Sequence, residues 1–184
     1  FSLLFMGTHV IAVANQKGGV GKTTTTINVA ASLANQGQRV LLVDFDPQAN
    51  ATSGIGIEKR EGGSVYESLV GDALLTDQII STPYQNLSVI PGEVNLCGAE
   101  IELPRMDDCL HRLQRALHSV KMANVYDIIL IDCPPSLGSL TLNAFVAADS
   151  LLVPIQCEYY ALEGISMVQR LIDQVRESGD NPGL

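Results

Sequence analysis

The sequence predicts an α/β domain whose mainly parallel sheet carries helices on both faces. Three observations point there. Short apolar runs alternate with stretches at helical spacing, as in strand–helix–strand units. The runs are apolar throughout, as strands buried on both sides are. A glycine-rich turn joins the first run to the first helical stretch. The chain has 184 residues, 46% of them hydrophobic and 17% charged. That size and composition fit one globular domain with a sizeable core.

The elements follow in order. Residues 10–14 read as a buried strand entering the glycine-rich turn. Residues 23–36 read as a helix, with Ile27, Ala30, Leu33 and Ala34 on one face and Gly37 as its stop. A second strand is expected at 40–43, then a polar loop over 44–56. Short helices are expected at 64–70 and 77–80, and a third strand at 87–90. Residues 105–122 place Met106, Leu110, Leu113, Leu117 and Val120 on one stripe and predict an amphipathic helix. A fourth strand at 128–131 runs into Pro134 and Pro135. A helix at 140–147, a fifth strand at 151–155 and a last helix at 162–175 complete the pattern. Ile165, Val168, Ile172 and Val175 form the inner side of that last helix.

Charge and cysteine usage narrow the class. The formal net charge is -9, so the chain as a whole is not an electrostatic surface for nucleic acid. The four cysteines, at 97, 109, 133 and 157, form no C-x-x-C pair, which argues against structural zinc and for reduced thiols in a cytosolic protein. No apolar run reaches the roughly 18 residues that span a bilayer. Residues 1–5 read as an extension upstream of Met6, and 6–184 as a single domain.

The strongest chemical signal is Lys17-Gly18-Gly19-Val20-Gly21-Lys22-Thr23-Thr24, placed between a strand and a helix. Glycines let successive backbone N–H groups turn toward phosphate oxygens, and a helix N-terminus adds positive potential. Lys22 is placed to reach the β- and γ-phosphates, and the Thr23 hydroxyl to ligate Mg²⁺. The G-x-x-x-x-G-K-[ST] phosphate-loop pattern is met except at its first glycine, where Gln16 stands, and a second lysine, Lys17, is added. This is a P-loop NTPase type of fold.

Two strand ends supply carboxylates. LLVDFDP over 41–47 delivers Asp44 and Asp46 to the carboxyl edge of a strand, where open α/β sheets bind ligands. Aspartate is a weak base at neutral pH, so Asp46 is expected to position a reactant rather than abstract a proton. YDIILIDCPPS over 126–136 ends a strand on Asp132 and matches a Walker B, whose carboxylate holds Mg²⁺ through water.

Longer stretches carry a family resemblance. NQKGGVGKTTT, DPQANATSG, GAEIEL, DCPPSLGSLTLNAFVAAD and PIQCEYYALEGIS together cover most of residues 10–168. They resemble the ParA/Soj family of partitioning ATPases, with its deviant Walker A loop. Ala49 replaces the glycine usual in DPQGNAT, which reads as a mild change. The resemblance implies ATP and Mg²⁺ as cofactors, with Lys17, Lys22 and Asp46 as catalytic residues. Residues 17–24 would bind nucleotide, and Thr23 and Asp132 would serve the metal. It implies that Asp46 lies in switch I and orients the attacking water, with Asp44 behind it. It implies that Pro134 and Pro135 stiffen switch II, and that Lys17 reaches the phosphates of a partner subunit. It also implies an ATP-dependent homodimer, a ParB-type partner, non-specific DNA, no membrane, and a cytoplasmic, nucleoid-associated location. A MinD-like membrane-cycling regulator is the alternative. ParA/Soj proteins continue past the stretch resembling 181–184, where the resemblance places part of the adenine pocket and the main basic surface.

Two features are discounted. His111, Arg112, Arg115 and His118, with Lys121, form a basic cluster on the polar side of the predicted 105–122 helix. They read as a solvated face, with an auxiliary DNA contact as the sharper option. Cys97 and Cys133 read as buried thiols rather than ligands of an iron–sulfur cluster.

Overall fold

A computed structural model describes residues 7–59, 61–158 and 161–184. The upstream extension read at 1–5 lies outside these, as do the two tyrosines of the 154–166 motif. In chain order the elements are β1 (His9–Val13), α1 (Lys22–Asn35), β2 (Val40–Asp44), α2 (Asn50–Gly54), α3 (Val65–Val70), β3 (Ile80–Ser81), β4 (Leu87–Ile90), α4 (Leu96–Glu102), α5 (Arg112–Ala123), β5 (Ile128–Asp132), α6 (Ser139–Ala147), β6 (Ser150–Leu152) and α7 (Ala161–Ser178). Among the described residues the sheet has six strands in the order β3-β4-β2-β5-β1-β6. Every pairing is parallel except the short β3 on β4.

The apolar runs become strands because each has two faces to bury. Val10, Ala12, Leu41, Val43, Ile129 and Ile131 pack into one core with α3, α4, α5, α6 and α7. Val13, Val40, Leu42, Ile128 and Leu130 pack into a second core with α1 and α2. The period-two alternation of a strand thus sorts one apolar run into two layers. Full burial of a large aliphatic side chain contributes about 1.5–3 kcal/mol, several times any local helix preference.

That ratio explains where the structure departs from the sequence reading. Residues 105–122 are not one helix. Leu103–Arg105 is a 3₁₀ turn, Met106 is extended, and Asp108 sits at φ 52°, so the helix begins only at Arg112. Met106 and Leu110 still pack on the core, from irregular backbone. Burial, not helical periodicity, fixed their spacing. The expected 151–155 strand stops at Leu152, two residues before Pro154, which cannot donate to a ladder. The polar 44–56 loop contains α2, and the expected 77–80 helix is a 3₁₀ turn over Leu75–Gln78.

Candidate functional site

The parallel register brings three strand ends level. Val13 of β1 and Asp44 of β2 each lie opposite Asp132 of β5. The loop after β1 therefore emerges beside two carboxylates at the carboxyl edge of the sheet. Gly19 and Gly21 take φ 75° and 86°, left-handed conformations that glycine adopts without steric cost. Gly21 is the N-cap of α1 and no side chain caps it, so the first N–H groups of the helix are available to an anion. Buried Asn15 fixes the loop at its root. Its Nδ2 donates to the Pro154 carbonyl at 2.8 Å, and its Oδ1 accepts from the Lys17 N–H at 3.1 Å. Gln156 Nε2 donates to the Gly19 carbonyl at 3.1 Å, so the segment after β6 straps the loop from outside.

A cleft of about 370 Å³ opens above these ends. Gly18, Gly19, Gly21, Lys22, Thr23 and Thr24 line one wall; Asp46, Gln48, Asn50 and Pro135 line the other. Val20, Lys17, Asp44 and Asp132, all singled out in the sequence, are not on its walls. Val20 turns its side chain inward and is buried. Lys17 is half-exposed, and its ammonium pairs with Glu158.

The charges are unevenly balanced. Lys22 is 7% exposed and donates from Nζ to the Lys17 carbonyl at 3.1 Å. Burial holds its ammonium below the ordinary lysine range, while Asp132 and Asp46 pull it back up. Asp132 is fully buried, and burial pushes its carboxyl up to about 7 against the Thr23 and Thr26 hydroxyls. Thr26 Oγ1 donates to Asp132 Oδ1 at 2.9 Å, but Oδ2 has no partner. An orphaned buried acceptor beside a threonine hydroxyl fits the outer sphere of a divalent cation. Among the described residues no three His, Cys, Asp or Glu side chains gather to hold a metal. A cation here would draw its remaining oxygens from water or a bound phosphate.

The Asp132 shift has a consequence for the ligand-free protein. The unfolded chain releases this proton near pH 4, the folded chain near 7. Between those values the native state holds more protons, so stability falls as pH rises through the window. Asp132→Asn keeps an acceptor for Thr26 and removes the charge. We expect the ligand-free variant to melt higher than the parent at pH 8, by on the order of 5–10 °C for roughly 2–4 kcal/mol, with the gap closing toward pH 5. Equal melting midpoints at pH 8 would return the carboxyl to ordinary acidity.

Asp44 and Asp46 divide their work. Asp44 is fully buried away from the cleft. Its Oδ2 accepts from the Thr52 N–H at 2.7 Å and hydroxyl at 2.6 Å, and its Oδ1 from the Asp46 N–H at 3.3 Å. Burial still holds its carboxyl above the usual carboxylate range. The Thr52 hydroxyl accepts in turn from the Gly92 N–H at 3.0 Å. Gly92 approaches so closely that an added Cβ would lie 2.9 Å from the Asp44 carboxyl carbon. Asp44 is thus the brace, and Asp46 faces the cleft with Oδ1 on the Gln48 N–H at 2.9 Å. Ala49, at φ 50° and ψ 43°, occupies a left-handed position that costs a non-glycine residue about 1–2 kcal/mol. The glycine-to-alanine change is therefore less mild than the sequence suggests.

Thr26, Thr52, Asn15 and Gly92 were not singled out from the sequence. Thr26 had one available signal: it lies four residues after Lys22, on the same helix face. Cys133 is buried as expected and burial drives its thiol strongly upward, but Cys97, in the first turn of the short α4, is exposed. The basic cluster is largely compensated. Arg112 Nε donates to the Leu69 carbonyl at 2.7 Å, Arg115 pairs with Asp108, and Lys121 lies 3.4 Å from Asp149. That favours the plain reading of this face.

Fold and cleft together define a P-loop NTPase-like α/β protein. Residues 8–184 match the family described as AAA domain. The chain is 56% identical over 169 residues to the sporulation initiation inhibitor protein Soj of Bacillus subtilis (strain 168), covering 91% of this chain and 66% of that protein. It is 53% identical over 177 residues to the chromosome partitioning protein ParA of Myxococcus xanthus (strain DK1622), covering 96% and 62%. Among solved structures it is similar to cobyrinic acid a,c-diamide synthase from Mycobacterium smegmatis with bound ADP and magnesium, with a TM-score of 0.88 and 43% identity over 96% of this chain and 71% of that one. The chain belongs to the AAA domain family and, within it, to the ParA/Soj group. It spans just under two thirds of the length of these Soj and ParA relatives.

Proposed function

We propose that this chain is the nucleotide-binding part of a partitioning ATPase. It would bind Mg-ATP in the cleft, hydrolyse it slowly, and use the bound nucleotide to form a homodimer that engages non-specific DNA and answers to a ParB-type partner. It would act in the cytoplasm, on the nucleoid. One observation carries the nucleotide reading: buried Lys22, the Thr23 hydroxyl and the unpartnered Asp132 oxygen converge at the start of an uncapped helix. The partitioning reading is supported by higher identity to Soj and ParA than to the synthase, since the shared fold alone does not choose a reaction.

The chain's own groups would act as follows. The backbone of 18–24 cradles the phosphates, and Lys22 exchanges the Lys17 carbonyl for phosphate oxygens. Thr23 and Asp132 would hold Mg²⁺, which neutralises phosphate charge during transfer. Asp46, on the opposite wall, orients the attacking water. Asp44, Thr52 and Gly92 keep its backbone in place. The catalytic and binding assignments of Lys17, Lys22, Asp46 and residues 17–24 are part of this proposal, as is the reading of 6–184 as one domain.

The test is Asp46→Ala. We expect Mg-ATP affinity within a few-fold of the parent and phosphate release reduced at least 100-fold, because positioning is lost while the phosphate contacts remain. Affinity and turnover are read separately, by fluorescent-nucleotide titration and a phosphate-release assay. Unchanged turnover would remove Asp46 from the mechanism.

A further inference from the structure

The loop between β5 and α6 brings Pro135 to the cleft wall, yet its far end is held by a residue from elsewhere. Helix α6 begins after Gly138, which has no side chain to cap it. Its first N–H groups turn instead to Glu100 of α4. Glu100 Oε2 accepts from the Ser139 N–H at 2.7 Å, and Oε1 lies 3.4 Å from both the Leu140 N–H and the Ser136 hydroxyl. The absence of a Cβ at residue 138 is what admits this carboxylate, because an added one would lie 2.8 Å from Oε1 and 2.9 Å from the carboxyl carbon. The loop also closes on itself, with the Thr141 hydroxyl donating to the Ser136 carbonyl at 2.6 Å.

The same stretch of chain holds the other cleft wall. Gly92, eight residues before Glu100, donates its N–H to Thr52, which holds Asp44 and through it the Asp46 backbone. Residues 92–100 therefore touch the supports of both Asp46 and Pro135, in addition to the strand pairing that joins Asp44 to Asp132.

We propose that Glu100 is a positioning residue: by capping α6 it fixes the 134–138 loop against the phosphate cleft, and so ties α4 to the site. A carboxylate at a helix N-terminus complements the helix dipole and the free N–H groups. Hydrogen bonds to a charged acceptor are the stronger kind. Removing the cap leaves the N–H of fully buried Leu140 poorly satisfied and lets the turn open. The consequence for turnover rests on the nucleotide reading above; the capping role does not.

The experiment is hydrogen exchange by mass spectrometry on the ligand-free chain, comparing the parent with Glu100→Ala, Glu100→Gln and Gly138→Ala. In Glu100→Ala, exchange over 134–142 should rise about 10-fold while the α1 peptides stay unchanged. Glu100→Gln keeps an acceptor oxygen and should stay within about 3-fold of the parent. Gly138→Ala displaces the carboxylate and should match Glu100→Ala, and the double variant should add nothing further. With Mg-ATP, Glu100→Ala should bind within a few-fold of the parent and release phosphate about 10-fold more slowly. Unchanged exchange over 134–142, an equal rise in α1, or Gln behaving as Ala would each overturn the proposal. Failure of every variant and of the parent to bind nucleotide would instead sink the ATPase reading, with the exchange result still deciding the role of Glu100.

Discussion

Lys22→Ala will lower affinity for a fluorescent ATP analogue by at least about 100-fold. Its ammonium is the cation buried at the start of α1 and lines the cleft between the loop and Asp46. A hydrogen bond from a charged donor is worth about 1.5–3 kcal/mol, and two phosphate contacts give a loss of that order. The fold will survive the change. Among the described residues Lys22 donates to one acceptor, the Lys17 carbonyl, and burial already disfavours its charge, so the ligand-free variant should melt within a few degrees of the parent. The combination separates a phosphate ligand from a structural lysine. A structural lysine would lower the melting point and spare affinity. Binding as tight as the parent's, in a variant that melts normally, means the phosphates sit elsewhere.

The sequence made the centre of this site legible and its supports illegible, for one physical reason. Lys22, Thr23 and Asp132 stand next to backbone signals: glycines that permit positive φ, a helix start, a strand end. Each signal is local, so each can be read along the chain. The strands were legible too, since β2 and β5 must bury both faces and their runs are apolar without interruption. Thr52, Gly92 and Glu100 act across 40, 40 and 39 residues of chain. No local pattern marks a threonine on α2 that will meet a glycine amide from the loop after β4. Residues 105–110 failed in the opposite direction. Their apolar spacing was helical, but Met106 and Leu110 reach the core from a turn that Asp108 makes with a positive φ. Periodicity records which side chains are buried, and burial does not demand a helix. Ala49 shows a third kind of gap. Only the backbone angle reveals that a methyl group there costs stability next to Asp46.

The second large effect belongs to Lys17. In the single chain its ammonium does not line the cleft; it pairs with Glu158, with 35% and 53% of the two side chains exposed. A surface pair of this kind is worth about 0–1 kcal/mol, so Glu158 is a resting partner that the ammonium leaves easily. On the function proposed above, Lys22 would serve the nucleotide of its own chain. A second lysine on the strand side of the loop gains a role if the phosphates it meets belong to a partner subunit. There it would stabilise charge developing on the transferred phosphoryl group, as an arginine finger does, an effect worth about 10³–10⁵ in rate. Lys17→Ala should therefore bind Mg-ATP within several-fold of the parent, because no contact in its own cleft is lost. It should fail to form the ATP-dependent dimer, and its turnover should fall by about three orders of magnitude or to background. Light scattering after size exclusion, with and without Mg-ATP, reads the dimer; phosphate release reads the rate. The comparison with Lys22→Ala is the control, since that variant should lose binding first and everything else with it. A Lys17→Ala dimer that forms with Mg-ATP and turns over normally would leave the nucleotide site standing and end the role of this lysine in trans.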